Sequence, residues 1–135
     1  MTAPFSGGCA CKSIRYVCNR APLATLNCHC RDCQLASGAP FASGVIVQLA
    51  DLQVTGTPKT HAVRASSGGL ATRSFCADCG VPLFTGSEVA PGFLSIRFPT
   101  LDDQSQFQPA LDIWTASAQP WVCLSPDIPH YPKSP

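Results

Sequence analysis

With 135 residues, 45% of them hydrophobic and 13% charged, the chain is too apolar for a disordered tail, and one domain spanning residues 1–135 around a modest core is expected. A formal net charge of +1, with no run of lysine or arginine, excludes strong electrostatic binding to nucleic acid, and no stretch approaches the ~18 apolar residues of a membrane helix. Thirteen prolines and ten glycines exclude a helical bundle and fit short strands joined by turns.

Residues 1–8 have neither a basic start nor an apolar run, so they do not read as a signal peptide, and a cytoplasmic protein with reduced thiols is expected. Residues 13–18 alternate as a half-buried strand does. Residues 27–31 are turn-rich, residues 33–37 predict one helical turn, and Gly38-Ala39-Pro40 ends it. Residues 45–49 have the pattern of a buried strand; residues 51–56 predict another, closed by Gly56-Thr57-Pro58. A short strand over 59–63 and a turn over 66–69 follow. Residues 70–75 and 81–86 lead into and out of a cysteine pair. Residues 92–98 and 110–114 alternate again, and the proline-rich stretch 121–135 reads as extended. The predicted class is mainly β, with a core small enough for bound metal to add folding energy.

Seven of the nine cysteines form three tight groups: Cys9-x-Cys11, Cys28-x-Cys30-x2-Cys33 and Cys76-x2-Cys79. Such groups are too cramped for a disulfide framework, the total is odd, and reduced thiols in this pattern read as ligands for soft metal, zinc first. In Cys76-Ala77-Asp78-Cys79-Gly80 the two-residue spacer turns both sulfurs toward one ion, and Gly80 is free to take positive φ. On an extended segment Cys9 and Cys11 project to one face, and with Cys76 and Cys79 they make four ligands, although spacing alone leaves other groupings open. Cys28, Cys30 and Cys33 supply three sulfurs. Three leave a coordination position for water, a substrate thiolate or a further protein ligand, and an open position is where chemistry happens. His29, between two of them, is expected to point away and to be a hydrogen bonder behind the sulfurs or a pocket group, with an ordinary surface or structural role as the alternative. His61 and His130 become ligands only through folding. Cys18 and Cys123 are expected to pack as small hydrophobes in the core.

Read in order, Gly7-Gly8-Cys9-Ala10-Cys11, Ile14-Arg15-Tyr16, Cys28-His29-Cys30-Arg31-Asp32-Cys33 with Ser37-Gly38-Ala39-Pro40, Arg73-Ser74-Phe75-Cys76-Ala77-Asp78-Cys79-Gly80, Thr100-Leu101-Asp102-Asp103, Trp121 and Pro129-His130-Tyr131 carry a resemblance over about residues 7–131. The chain resembles the glutathione-dependent formaldehyde-activating family, which includes centromere protein V. The resemblance implies a β-tent of coiled, mostly antiparallel sheets. It implies a structural zinc at Cys9, Cys11, Cys76 and Cys79 and a catalytic zinc at Cys28, Cys30 and Cys33. It also implies a carbon–sulfur lyase that forms S-hydroxymethylglutathione from glutathione and formaldehyde. Lys12 and Pro99 stand where the family usually has glycine. Glycine permits positive φ and proline fixes φ near about −65°, so a different turn after Cys11 and a different loop at residue 99 are expected.

In the expected chemistry, a thiol such as glutathione is held as thiolate and adds to a small carbonyl such as formaldehyde. Three protein thiolates leave a divalent ion's complex at a net −1, which favours sulfur nucleophilicity over water activation and argues against a hydrolase. His29 leads Asp32 and Ser37 as the group that moves the proton, and Arg73 or Arg31 is a candidate for a glutathione carboxylate. Two zinc ions on seven thiolates would take the formal charge from +1 to about −2. Three rival readings remain: a non-catalytic zinc-binding module or glutathione carrier, a nucleic-acid binder disfavoured by the charge, and a redox sensor built on Cys28, Cys30 and Cys33.

Overall fold

Alternating segments become strands of two sheets in the computed structural model, which describes residues 1–135. The smaller sheet orders β1 (Phe5–Gly8), β2 (Arg15–Cys18) and β5 (Leu52–Thr55), all antiparallel. The larger sheet has seven strands: β3 (Ala24–Cys28), β4 (Ala42–Gln48), β6 (Lys59–Arg64), β7 (Leu70–Phe75), β8 (Pro82–Ser87), β9 (Phe93–Arg97) and β10 (Leu111–Ile113). Its order is β10-β3-β4-β9-β8-β7-β6, antiparallel except where β10 runs parallel to β3. Strand makes up 39% of the chain and helix 12%, so the class is mainly β as composition and periodicity imply.

Period-2 alternation divides the large sheet into a packed face and a chemical face. Val45, Val47, Phe84 and Ile96 turn to one side and close on Ile14, Tyr16 and Cys18 from the smaller sheet's side. Each aliphatic side chain buried this way contributes about 1.5–3 kcal/mol. The Tyr16 ring meets Phe84 edge-on at 5.4 Å, and its hydroxyl donates to Thr100 Oγ1 at 2.9 Å while Thr100 donates to the Arg97 carbonyl at 2.7 Å. Asp102 takes the Arg15 guanidinium and the Ser6 hydroxyl, which hold its carboxyl below the usual range. The Thr100-Leu101-Asp102 motif is thus a clasp between the sheets. The opposite face, traced through the registers Leu26↔Gly44, Ile46↔Ser95, Ser95↔Thr85 and Thr85↔Arg73, presents Cys28, Ser95 and Arg97 toward the one α-helix.

That helix, α1 (Arg31–Ser37), starts two residues before the predicted turn, because Cys30 caps it: the Cys33 N–H donates to Cys30 Sγ at 3.3 Å. Gly38 ends it with φ 67°, its N–H on the Gln34 carbonyl. Strands β1 and β3 were not expected. Phe-Ser-Gly-Gly has no alternation, and β1 is defined by its pairing with β2. Residues 121–135 form no strand or helix and are tied down by bonds such as Tyr131 N–H to the Asp112 carbonyl. No helix is long and apolar enough to cross a membrane.

Candidate metal centres

Two cysteine groups converge, one of four and one of three, and either could hold a metal ion. The four come from the β1–β2 and β7–β8 turns. Lys12 N–H donates to the Cys9 carbonyl at 3.1 Å and Gly80 N–H to the Cys76 carbonyl at 2.8 Å. Both residues take positive φ, 64° and 76°. Gly80 behaves as predicted. Lys12 corrects the expectation of a different turn: the lysine adopts the left-handed conformation that glycine would. Cys9 and Cys11 converge through this turn and not, as expected, along an extended segment. Their sulfurs are 3.6 Å apart, and Cys11 Sγ lies 3.7 Å from Cys76 Sγ. All four sulfurs lie within 4.8 Å of one another, with Cys9 and Cys76 buried and Cys11 and Cys79 exposed.

The local field favours thiolate at Cys9 and Cys76, while at Cys11 the lowering bonds with Ser13 are outweighed by burial and by hydrogen bonds with those two, which push it up. Burial acts to raise the Cys9 thiol, but the Ile14 N–H at 3.3 Å and bonds with Ser13, Cys11 and Cys76 outweigh it and bring it down to about 6. The Ser13 hydroxyl, which the sequence reading passed over, sits 3.1 Å from Cys11 Sγ and 3.2 Å from Cys76 Sγ, and with the Cys79 N–H it pulls the Cys76 thiol down.

The three-cysteine group is local. Cys28 ends β3, Cys30 caps α1 and Cys33 lies in its first turn, with all three sulfurs within 4.8 Å. Cys28 and Cys30 are buried and Cys33 is partly exposed. Hydrogen bonds from Cys28 and Cys33 pull the Cys30 thiol down to about 2. Bonding to Cys30 drives Cys28 far up. Cys28 lowers Cys33, but Cys30 and burial prevail and leave it at about 11. Hydrogen bonding among the three sulfurs favours the charged form at Cys30 and the protonated form at Cys28, an arrangement in which a cation can replace protons. Cys28 and Cys33 border a cavity of about 300 Å³ whose walls include Leu26, Ile46, Phe93 and Ile113. A second cavity of about 230 Å³, bordered by Cys30, Cys33 and Arg73, shares Cys33, Thr85 and Arg97 with the first.

His29 borders neither cavity. Its side chain is 1% exposed and lies behind the sulfurs, with Nε2 2.9 Å from Asp112 Oδ1 and the ring against Phe41. Nδ1 is buried without a partner. Of the placements expected for His29, the structure has a buried hydrogen bonder and neither the pocket group nor a surface residue. Asp32 accepts the Ser66 N–H and hydroxyl, and Ser37 donates to the Phe41 carbonyl, so both tie loops together. Arg31 is exposed; Arg73 donates to the Asp32 carbonyl at 3.0 Å. His61 is exposed on β6, and His130 donates to the Ser125 carbonyl at 2.7 Å; neither reaches a cysteine group. Cys18 is in the core, but Cys123 is exposed, a correction that follows from the last segment lying on the surface. Pro99 fits a 3-10 turn over Phe98–Thr100 and borders a cavity shared with Cys9 and Lys12, not the cavities of the three-cysteine group. The sequence reading also missed Asp112 and Arg97, although each is a buried charged residue in a segment whose alternation was read.

The donor set fits zinc: a tetrahedral Zn–S bond of about 2.3 Å gives S···S edges of about 3.8 Å, close to the observed 3.6 and 3.7 Å. The model of the family described as glutathione-dependent formaldehyde-activating enzyme matches residues 4–117. The chain belongs to that family. A solved structure of a Rhodobacter sphaeroides protein is similar in fold, with 19% identity, a TM-score of 0.57 and coverage of 77% of this chain and 91% of that one. No curated protein matches the chain. Membership in the glutathione-dependent formaldehyde-activating family and two metal-suited cysteine groups are thus established together.

Proposed function

We propose that the chain, acting as one domain over residues 1–135 in the cytoplasm, is a carbon–sulfur lyase that joins a thiol, glutathione, to a small carbonyl such as formaldehyde, or releases it. In this reading Cys9, Cys11, Cys76 and Cys79 hold a structural zinc, and Cys28, Cys30 and Cys33 hold a second, reactive one. The observation that carries it is the contrast between the groups: four sulfurs converge within 4.8 Å, enough to fill a tetrahedral site, while the group of three has Cys28 and Cys33 at the edge of a cavity of about 300 Å³ and Cys30 and Cys33 at the edge of one of about 230 Å³. Bound zinc supplies a cationic position at which a thiol stays deprotonated near neutral pH.

The chain's residues do the rest. The α1 cap and the Cys28 strand end fix the three sulfurs on rigid elements. Leu26, Ile46 and Ile113 form an apolar wall that keeps water from competing for the carbonyl carbon. The buried His29–Asp112 pair anchors the β3 end to β10 and acts as a positioning pair, since the imidazole does not face the cavity. Addition forms the S–C bond, moves the C=O π pair to oxygen and ends with a proton from solvent.

The test is zinc content, turnover and thiol binding in the protein and in Cys33→Ser. The expected variant is folded, keeps one zinc per chain and loses turnover of glutathione with formaldehyde. Unfolding with loss of both zincs contradicts the division of roles. Wild-type binding of glutathione without acceleration replaces the lyase with a glutathione carrier.

A further inference from the structure

Arg97 is a buried cation at the three-cysteine cavity with no carboxylate partner. It is 7% exposed. A guanidinium has five N–H donors. The protein engages one, from Nη2 to Thr85 Oγ1 at 3.2 Å, and Nε is buried with no partner. The ion pairs of the fold involve Arg15, Arg20, His29 and His130, never Arg97. Burying an unpaired charge is costly and is not what packing alone selects.

Position gives the cost a purpose. Arg97 ends β9 on the same face as Ser95 and, across the register, Thr85 and Gly44. With Cys33 it borders both cavities of the three-cysteine group. The apolar wall of Leu26, Ile46 and Ile113 keeps the local dielectric low, so an anion beside this guanidinium interacts strongly.

We propose that Arg97 binds an anionic oxygen of the substrate beside the sulfur held at the three-cysteine site. The inference rests on the thiol-addition reading above and adds a substrate-contacting residue to it. Two oxygens have this chemistry. One is the alkoxide formed when the thiolate's electron pair makes the S–C bond and the C=O π pair moves to oxygen. The other is a carboxylate of the thiol. Arg97 donates N–H bonds to either and keeps its own protons, because the guanidinium stays charged; the alkoxide takes its proton from solvent.

The experiment uses zinc-loaded protein and two thiols of similar size, mercaptoacetate and 2-mercaptoethanol, titrated by calorimetry into wild type and Arg97→Gln. Where the carboxylate is the partner, wild type is expected to bind mercaptoacetate at least about tenfold more tightly, and the variant to bind both alike, since a charge-assisted bond is worth that much. Turnover of 2-mercaptoethanol with formaldehyde separates the sources: a loss of about tenfold or more in kcat, with thiol KM unchanged, assigns the alkoxide. Intact kcat for 2-mercaptoethanol with a raised KM for glutathione alone assigns the carboxylate. The melting temperature of Arg97→Gln is expected to stay near that of wild type, because no carboxylate of the fold loses a partner. A variant that binds the two thiols as wild type does and also keeps the wild-type kcat for 2-mercaptoethanol, a melting temperature several degrees lower, or loss of the second zinc in the variant each overturns the proposal. The last two outcomes mark a structural or charge-balancing arginine. If wild type binds neither thiol, the thiol-addition reading fails and takes this inference with it.

Discussion

Ser13 has no metal-ligand chemistry of its own, yet its hydroxyl touches two sulfurs of the four-cysteine group and comes within 3.7 Å of a third, Cys9. Hydrogen bonds to ligating thiolates stabilise their charge, and losing such a partner commonly weakens metal affinity 10- to 100-fold, by about that factor here. Ser13→Ala is therefore expected to lose zinc to a chelator at about tenfold lower chelator concentration, with turnover at the other site unchanged; equal retention would refute the role. Lys12 gives the complementary case. A lysine at φ 64° carries a steric cost that glycine avoids, partly offset by glycine's larger loss of freedom on folding. Lys12→Gly should raise stability by about 0.5 kcal/mol in urea unfolding, and a clear loss would show that the lysine side chain contributes where it lies. The cysteines themselves were legible because soft ligands at short spacing have few other uses. Ser13, Asp112 and Arg97 were not, because a hydroxyl, a carboxylate and a guanidinium are ordinary on the surface; their meaning comes from the sheet registers that bury or aim them.

Elements with period-2 alternation could be read directly. Strands β2, β4, β5, β6, β9 and β10 lie where the patterns put them, since short apolar or alternating runs between turn signals have few other folds open to them. Strands β1 and β3 were hidden because their strand character comes from partners: β1 pairs with β2, and β3 lies between β4 and β10. The contact between sheets was equally invisible, and Tyr16 shows its strength. Burial raises the Tyr16 phenol from 10.0 to about 12. A raised pKa means that the folded state favours the neutral phenol. Its contribution is then whole below about pH 10 and is lost as pH rises toward about 12. Tyr16→Phe is expected to cost about 1 kcal/mol at pH 7, through the lost bond to Thr100, and to flatten the decline between pH 10 and 12. Urea unfolding at pH 7, 10 and 11 measures both; an unchanged alkaline slope would assign that decline to other groups.

At the scale of the whole molecule the two metal groups differ in what they close. Cys11 and Cys76 are 65 residues apart and join the smaller sheet's first turn to the β7–β8 turn. Cys28, Cys30 and Cys33 are neighbours, and joining them restrains little chain. In the loop-entropy treatment of a cross-link, closing 65 residues removes about 4 kcal/mol of unfolded-state freedom, against about 2 kcal/mol for a loop of about five. The difference of about 2 kcal/mol corresponds to roughly 8 °C in melting temperature for a chain of this length. Zinc-loaded Cys76→Ser should therefore melt about 8 °C or more below zinc-loaded Cys33→Ser, and a chelator should lower the melting temperature of Cys33→Ser further while leaving Cys76→Ser less changed. The spacing of the cysteines revealed the ligands but not this asymmetry, which exists once β1–β2 and β7–β8 stand at the same corner of the fold. Equal melting temperatures for the two variants would mean that the four-sulfur corner braces nothing the two sheets do not already hold through Tyr16, Arg15 and Asp102.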